Sequence, residues 1–346
     1  MIPDRLRLAF ESQARTCPRL GSPFMGQLMR LFAEREWPDS ALRDRAFAWP
    51  GDVSAMAASV PLRFAGALHA LKLEGHAGLG AVYPPNAVDD DTLWPAVAEA
   101  LVTEAAFIDR FIDSAPQTNE VRRAAVLVAA GHWLTARFQM PIQMRELGAS
   151  AGLNLMWDKF ALQVDNVTFG PRSPALTLRP DWTGPLPPRT PPTVAGRRGV
   201  DLNPLDPARD ALRLRAYLWP DQPDRLALTE AAIAWHEADV DQADAIEWLA
   251  GQLGPHQGQL RLIYHTIAWQ YFPAESQARG IQLIEDAGAK ATLRSPLAWL
   301  SMEADDVDDG ACLTLRLWPG DVTVALGRVD FHGRWVKWTA PAIGPI

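Results

Sequence analysis

The chain has 346 residues, with 33 basic and 41 acidic side chains and a formal net charge of −8. Hydrophobic residues make up 48% and charged residues 21%, a globular balance that excludes a disordered chain, and the length predicts one large domain with an appendage. The acidic balance argues against a nucleic-acid partner, and two cysteines, Cys17 and Cys312, exclude a disulfide framework and a zinc ribbon.

The apolar runs at 124–136 and 262–274 reach only 13 residues, short of the roughly 20 that a spanning helix needs, so no membrane segment is expected. The opening MIPDRLRLAFESQ carries Asp4, Arg5, Arg7 and Glu11 where a signal peptide needs an apolar core, and the expected location is the cytoplasm. A small molecule is the expected partner. Oligomeric state is not legible.

The elements begin with helices. Residues 5–15, 24–37 and 60–73 place apolar side chains three and four apart, the spacing of an amphipathic helix. Pro61 is acceptable in a first helical turn. YPPN at 83–86 is a turn. Residues 91–113 then align Leu93, Val97, Leu101, Ala105, Ile108 and Ile112 on one stripe. Residues 1–115 therefore read as a helical cap, with no alternating strand.

A second region, 116–346, opens with a helix over 116–138, capped by Thr118 or Asn119, with Glu120 at the positive end of its dipole. IQMREL (142–147) reads as a strand, and GASAGLNLMWDKF (148–160) as a glycine turn entering a helix. Residues 171–204 hold nine prolines and cannot form one regular element; we place an insertion at about 165–198. Alternation then returns. A strand is expected at 198–202, helices at 207–218, 225–236 and 244–253, a strand with a following loop at 261–272, a helix at 274–287 and a strand at 291–300. Residues 312–338 alternate in strand fashion and are cut by PGD and HG, the residues of hairpin turns. This order predicts an α/β fold: a Rossmann-like, mainly parallel sheet with a C-terminal antiparallel hairpin, plus the N-terminal helical cap.

The stretch Glu146-Leu147-Gly148-Ala149-Ser150-Ala151-Gly152-Leu153-Asn154 carries the most chemistry. In open α/β sheets, ligands bind beyond the carboxyl ends of strands where the strand order reverses. One reading is an adenosyl cofactor, S-adenosylmethionine. Glu146 would face its cationic part, and Gly148 and Gly152 would let the backbone approach, with Ser150 and Asn154 lining the same turn. Asp201 would take the ribose hydroxyls. Asp244, followed by Ala245, would take the adenine amino group. Tyr264 and His265 lie at the end of a later strand, where the transferable methyl faces its acceptor. A second reading is a nucleophile elbow: residues 148–152 match GxSxG, with Ser150 as the nucleophile of an esterase. The late His332 falls inside a hairpin, which is the wrong place for its base. A third reading is a tight packing joint, or a nucleotide-binding protein without chemistry.

PQTNEV (116–121), ELGASAGLNL (146–155), WPDQ (219–222) and HTIAWQY (265–271), with SVPLRFAGALHALKLEG and AVYPP earlier, resemble a bacterial family catalogued as domain of unknown function 2332. The resemblance spans nearly the whole chain. It implies a fold similar to class I S-adenosylmethionine-dependent methyltransferases and assigns no reaction. Two departures from the ordinary methyltransferase pattern stand out. Asp201 lies 49 residues beyond Gly152, so the proline-rich segment must loop out for Asp201 to serve. Positions 149–151 read Ala-Ser-Ala, a bulkier turn.

Gln117 and Asn119 belong either to a helix cap or to a substrate rim, and Trp219 of WPDQ either to a helix stop or to a pocket wall. His265 is either a satisfied buried histidine or a site residue. His69 and His76 lack the partners of a metal site, so no metal is expected.

Overall fold

The amphipathic start of the chain forms α1 (Asp4–Arg19) and α2 (Pro23–Glu34), in a computed structural model that describes residues 2–307 and 309–343. Next come α3 (Ala41–Phe47), α4 (Val60–Leu73), α5 (Ala77–Val82), α6 (Asp90–Thr103) and α7 (Ala105–Phe111). The single helix expected over 91–113 is two, because the chain bends at Glu104, which closes α6 and precedes α7. The following helix, α8 (Ala124–Phe138), belongs to a second compact unit, Asn119–Pro207 with Leu228–Ile346. The first unit is Met1–Thr118 with Ala208–Ala227, so α9 (Ala211–Ala216) and the start of α10 (Pro223–Ala234) fold with the N-terminal helices. The helix expected over 207–218 therefore lies outside the α/β alternation.

The first unit is centred on aromatic rings. Phe32 stacks on Phe10 at 5.0 Å, with Trp37 and Trp94 edge-on or tilted against it. Such pairs add to the area their rings bury. Gly66 of α4 has no room for a side chain, since a Cβ there would lie 2.5 Å from the Tyr217 ring. The WPDQ stretch is a clasp on α2. The Asp221 carboxylate accepts from the Ser22 hydroxyl and, at 2.9 Å, from the Phe24 amide at the start of α2. Gln222 donates to the Leu20 carbonyl, and Arg225 donates to Gln222 while covering Trp219.

The second unit is built on β1 (Ile142–Leu147), β2 (Ala161–Val164), β3 (Val167–Phe169), β4 (Thr177–Leu178), β5 (Asp181–Thr183), β6 (Val194–Asp201), β7 (Val240–Gln242), β8 (Leu260–Thr266), β9 (Leu297–Glu303), β10 (Ala311–Trp318), β11 (Val322–Val329) and β12 (Trp335–Trp338). Among the described residues the large sheet runs β5-β12-β11-β10-β9-β8-β1-β6-β7. Strands β7, β6, β1, β8 and β9 are parallel neighbours, while β9, β10, β11 and β12 form an antiparallel meander. The order reverses between β1 and β8, so their carboxyl ends frame the ligand crevice of an open α/β sheet. Helices α11 (Ala245–Ala250) and α12 (Ala274–Ala289) cover the face carrying Leu147 and Ile263. By the two-residue period of a strand, Glu146 points to the opposite face.

The proline-rich segment does loop out. It begins in the small sheet β3-β2-β4 and sends β5 to pair with β12 at the far edge of the large sheet. It then returns as β6 alongside β1, Val200 opposite Leu147. Its strands before β6 are two to four residues long, because proline cannot donate to a ladder. β6 begins at Val194, four residues before the expected start, and β9 begins at Leu297 because Thr292–Ser295 closes a turn.

Replacing Asp221 by alanine leaves the Phe24 amide at the start of α2 and the Ser22 hydroxyl without their acceptor. The expected loss is about 1–2 kcal/mol, read as a fall in the thermal midpoint. An unchanged midpoint would show that the clasp does not hold α2.

Candidate functional site

The turn after β1 is held by its neighbouring strand. The amides of Gly148 and Ala149 both donate to the Val200 carbonyl at 3.0 Å, and the Ser150 amide donates to the Asp201 carboxylate at 2.8 Å. The other Asp201 oxygen accepts from the Asn203 amide. Asp201 thus reaches the glycine turn despite its distance in sequence. The backbone is left-handed at Gly148 (φ 70°), Ser150 (φ 55°) and Gly152 (φ 74°). A serine pays strain there that glycine does not. Both glycines are also tightly packed: a Cβ at Gly148 would lie 2.5 Å from the Ala268 methyl, and one at Gly152 would lie 2.7 Å from Val240. Beyond the turn comes a 3-10 segment, Leu153–Lys159, where a helix was expected. Its residues are fixed by side chains from outside, which leaves less need for a full helical ladder.

Those side chains come from PQTNEV. Asn119 accepts from the Leu153 amide at 3.0 Å, and the Asn154 amide group donates to the Glu120 carbonyl. The expected cap is displaced by one residue: the Glu120 carboxylate, not Thr118 or Asn119, caps the 3-10 turn that leads into α8, accepting from the Arg122 amide. Asn119 instead braces the turn. Glu146 is 2% exposed and lies opposite Tyr264 in register. The Tyr264 hydroxyl is 3.4 Å from both the Glu146 carboxylate and the Asn154 carbonyl. Burial pushes the Glu146 carboxyl well above the usual range; the Tyr264 hydroxyl and Arg123 oppose that shift and Asp201 adds to it. Arg123 itself donates to the carbonyls of Thr266 and Phe331. The Ser150 hydroxyl and the Asn154 side-chain oxygen are buried without a hydrogen-bond partner among the described residues. Such atoms are costly unless a water or ligand meets them.

At the end of β8, His265 is fully buried. Its Nδ1 lies 2.6 Å from a Glu303 oxygen, its Nε2 accepts from the Trp299 indole at 2.9 Å, and its ring stacks on Trp269 at 4.9 Å. Both ring nitrogens are engaged by the protein, an arrangement that fits the satisfied buried histidine of the two readings. Glu303 gave no signal in the sequence, because its role depends on β9 lying beside β8. It also accepts from the amides of Ala268, Trp269 and Gln270.

The remaining predicted residues separate. Asp244 follows β7 and accepts from the amides of Ile246 and Glu247 through one oxygen, opening α11, while Ala245 packs into the core. Gln117 and Trp219 belong to the first unit, and Trp219 lies under Arg225. His332 lies in the 330–334 turn, its amide bonded to Asp330. The histidine beside the glycine turn is instead His236, whose Nε2 would be 3.2 Å from a Cβ at Gly152. Leu202, 63% exposed directly after Asp201, was also missed. A cavity of about 450 Å³ lined by Trp133, Pro188 and Trp338 includes none of the predicted site residues.

Glu146 gives a pH-dependent test. Its native carboxyl holds its proton to higher pH than the unfolded chain does, so it subtracts stability as pH rises above about 4.3. Glu146→Gln should therefore raise the thermal midpoint relative to the parent at pH 7–8 and change it little at pH 4. A difference independent of pH would show that Glu146 titrates in the native chain as it does in the unfolded one.

No curated protein matches the chain. No helix among the described residues is long and apolar enough to cross a membrane. A family model described as "Uncharacterized protein conserved in bacteria (DUF2332)" matches residues 7–338, which takes in both compact units and the four motifs, and the chain belongs to that family.

Proposed function

We propose that the crevice at the carboxyl ends of β1, β6 and β8 binds S-adenosylmethionine and that the protein transfers its methyl group to a small molecule. The observation that carries this reading is the convergence of Glu146 and Asp201, from neighbouring strands, on one glycine turn at the point where strand order reverses. The residues present suit such a group. Asp201 offers carboxylate oxygens for ribose hydroxyls beside the Ser150 amide, and the exposed Leu202 offers an apolar surface for a purine ring. Asp244 binds its cap amides through Oδ1, which leaves Oδ2 for an exocyclic amino group. The unpartnered Asn154 oxygen and the buried Glu146 carboxyl are acceptors suited to an ammonium group.

When bound, the cofactor supplies an electrophilic methyl on a sulfonium. The work left to the chain is to hold the acceptor in line and to keep water out. The Tyr264 hydroxyl fixes the Glu146 carboxyl, and Arg123, held by two carbonyls, sets a positive charge near it. We assign no general base.

Ser150 as a nucleophile has one observation in its favour, the left-handed backbone that raises a serine on a sharp turn. Its hydroxyl is buried, however, and among the described residues no histidine bonds to it.

Calorimetric titration with S-adenosylmethionine and S-adenosylhomocysteine should give saturable binding. Asp201→Asn should weaken it about tenfold or more, and Glu146→Ala should abolish it with the fold intact. Absence of binding in the parent protein would refute the cofactor reading. Loss of short-chain ester hydrolysis in Ser150→Ala, with no cofactor effect, would favour the esterase.

A further inference from the structure

The loop after β8, residues 267–270, lies directly on the glycine turn, and its conformation is unusual. Ile267 is left-handed (φ 53°), a conformation that a β-branched side chain strongly disfavours. The next residue, Ala268, puts its methyl where a side chain on Gly148 would be. Something must hold this strained loop against the turn. Two groups from β9 do so: the Met302 carbonyl accepts from the Ile267 amide at 2.8 Å, and the Glu303 carboxylate accepts from the next three amides. The same carboxylate takes the His265 ring, itself fixed by Trp299. Burial opposes ionisation of Glu303, but the His265 ring and the loop amides outweigh it and hold the carboxyl below its ordinary value.

We propose that Glu303 is a positioning residue for the binding crevice. Its carboxylate sets the 267–270 loop, whose Ala268 methyl fills the space beside Gly148, and so fixes the turn on which the ligand is held. This rests on the reading that a ligand occupies the crevice at the ends of β1 and β8. The interaction is not a requirement of sheet formation. β9 pairs with β8 through Met302 opposite Thr266, before Glu303 is reached.

The test uses the full chain and two variants, Glu303→Gln and Glu303→Asp. Gln presents an amide where four donors converge; Asp keeps the charge on a shorter arm. Hydrogen exchange of the amides of residues 268–270 should quicken by about tenfold or more in Glu303→Gln, and less in Glu303→Asp. Affinity for S-adenosylhomocysteine, by calorimetry, should fall about tenfold in Glu303→Gln and recover in part in Glu303→Asp. A third variant, Leu326→Ala in β11, removes a buried side chain of the same unit from a strand that pairs with neither β8 nor β9. It should leave both readouts near the parent values.

Unchanged exchange at 268–270 in Glu303→Gln would overturn the proposal. So would quickened exchange with unchanged affinity, or an equal loss of affinity in Leu326→Ala. If the parent does not bind S-adenosylhomocysteine, the cofactor reading fails and the ligand role of Glu303 fails with it. The exchange result then still decides whether the carboxylate holds the loop. If Glu303→Gln does not fold, Glu303→Asp carries the same comparison.

Discussion

The bond between the Ser150 amide and the Asp201 carboxylate joins the two parts of the sequence on which the site depends. A left-handed serine between two left-handed glycines is a strained turn, and it persists only where its surroundings over-determine it. Here the surroundings are specific. β6 supplies the Val200 carbonyl for two amides and the Asp201 carboxylate for a third. Asn119 supplies an acceptor for the segment that follows, and the Ala268 methyl presses from β8. Without β6 beside β1 the turn would have three unsatisfied donors. The long excursion of the proline-rich segment is tolerated because closing a loop grows costlier only with the logarithm of its length.

Two carboxyl groups at the same sheet edge have opposite electrostatics. Glu146 is buried behind the turn, next to a hydroxyl and near another carboxylate, and burial pushes its carboxyl above the usual range. Glu303 is also mostly buried, yet the amides and the imidazole that converge on it hold its carboxyl below its ordinary value. The difference lies in the count of donors, not in depth. It separates a group that can still gain from a cationic ligand from one whose capacity is already filled by the protein.

The motifs divide in a way their spacing does not announce. The residues of PQTNEV from Asn119 onward, ELGASAGLNL and HTIAWQY meet around one turn in the second unit. WPDQ acts in the first unit, where Asp221 caps α2 and Gln222 holds the end of the preceding loop. Trp219 and Gln117 drew attention as polar or aromatic residues near the right motifs, but proximity in sequence does not keep residues in one compact unit. Residues 208–227 show the physical reason: Ala216 and Tyr217 bury themselves among the N-terminal helices, where Gly66 leaves a slot for the tyrosine ring.

The sequence by itself determined α1, α2 and α4 of the first unit, strand β1, the hairpin character of 312–338 and the mainly parallel sheet, because each of these rests on local periodicity and turn chemistry. It also marked Glu146, Gly148 and Gly152, since a glycine turn at a strand end is a local pattern. It misjudged the element after the turn. A 3-10 segment and a helix share the same apolar spacing over seven residues, and what selects between them here is the bracing from Asn119 and Glu120. Only the tertiary structure decided which acceptors each donor found. His265 could be a ligand contact or a core residue until β9 brought Glu303 and Trp299 to it, and Glu303 and His236 carried no signal of their own. Hydrogen-bond partners across 30 to 50 residues are set by strand pairing, and strand pairing is a property of the whole sheet rather than of any segment within it.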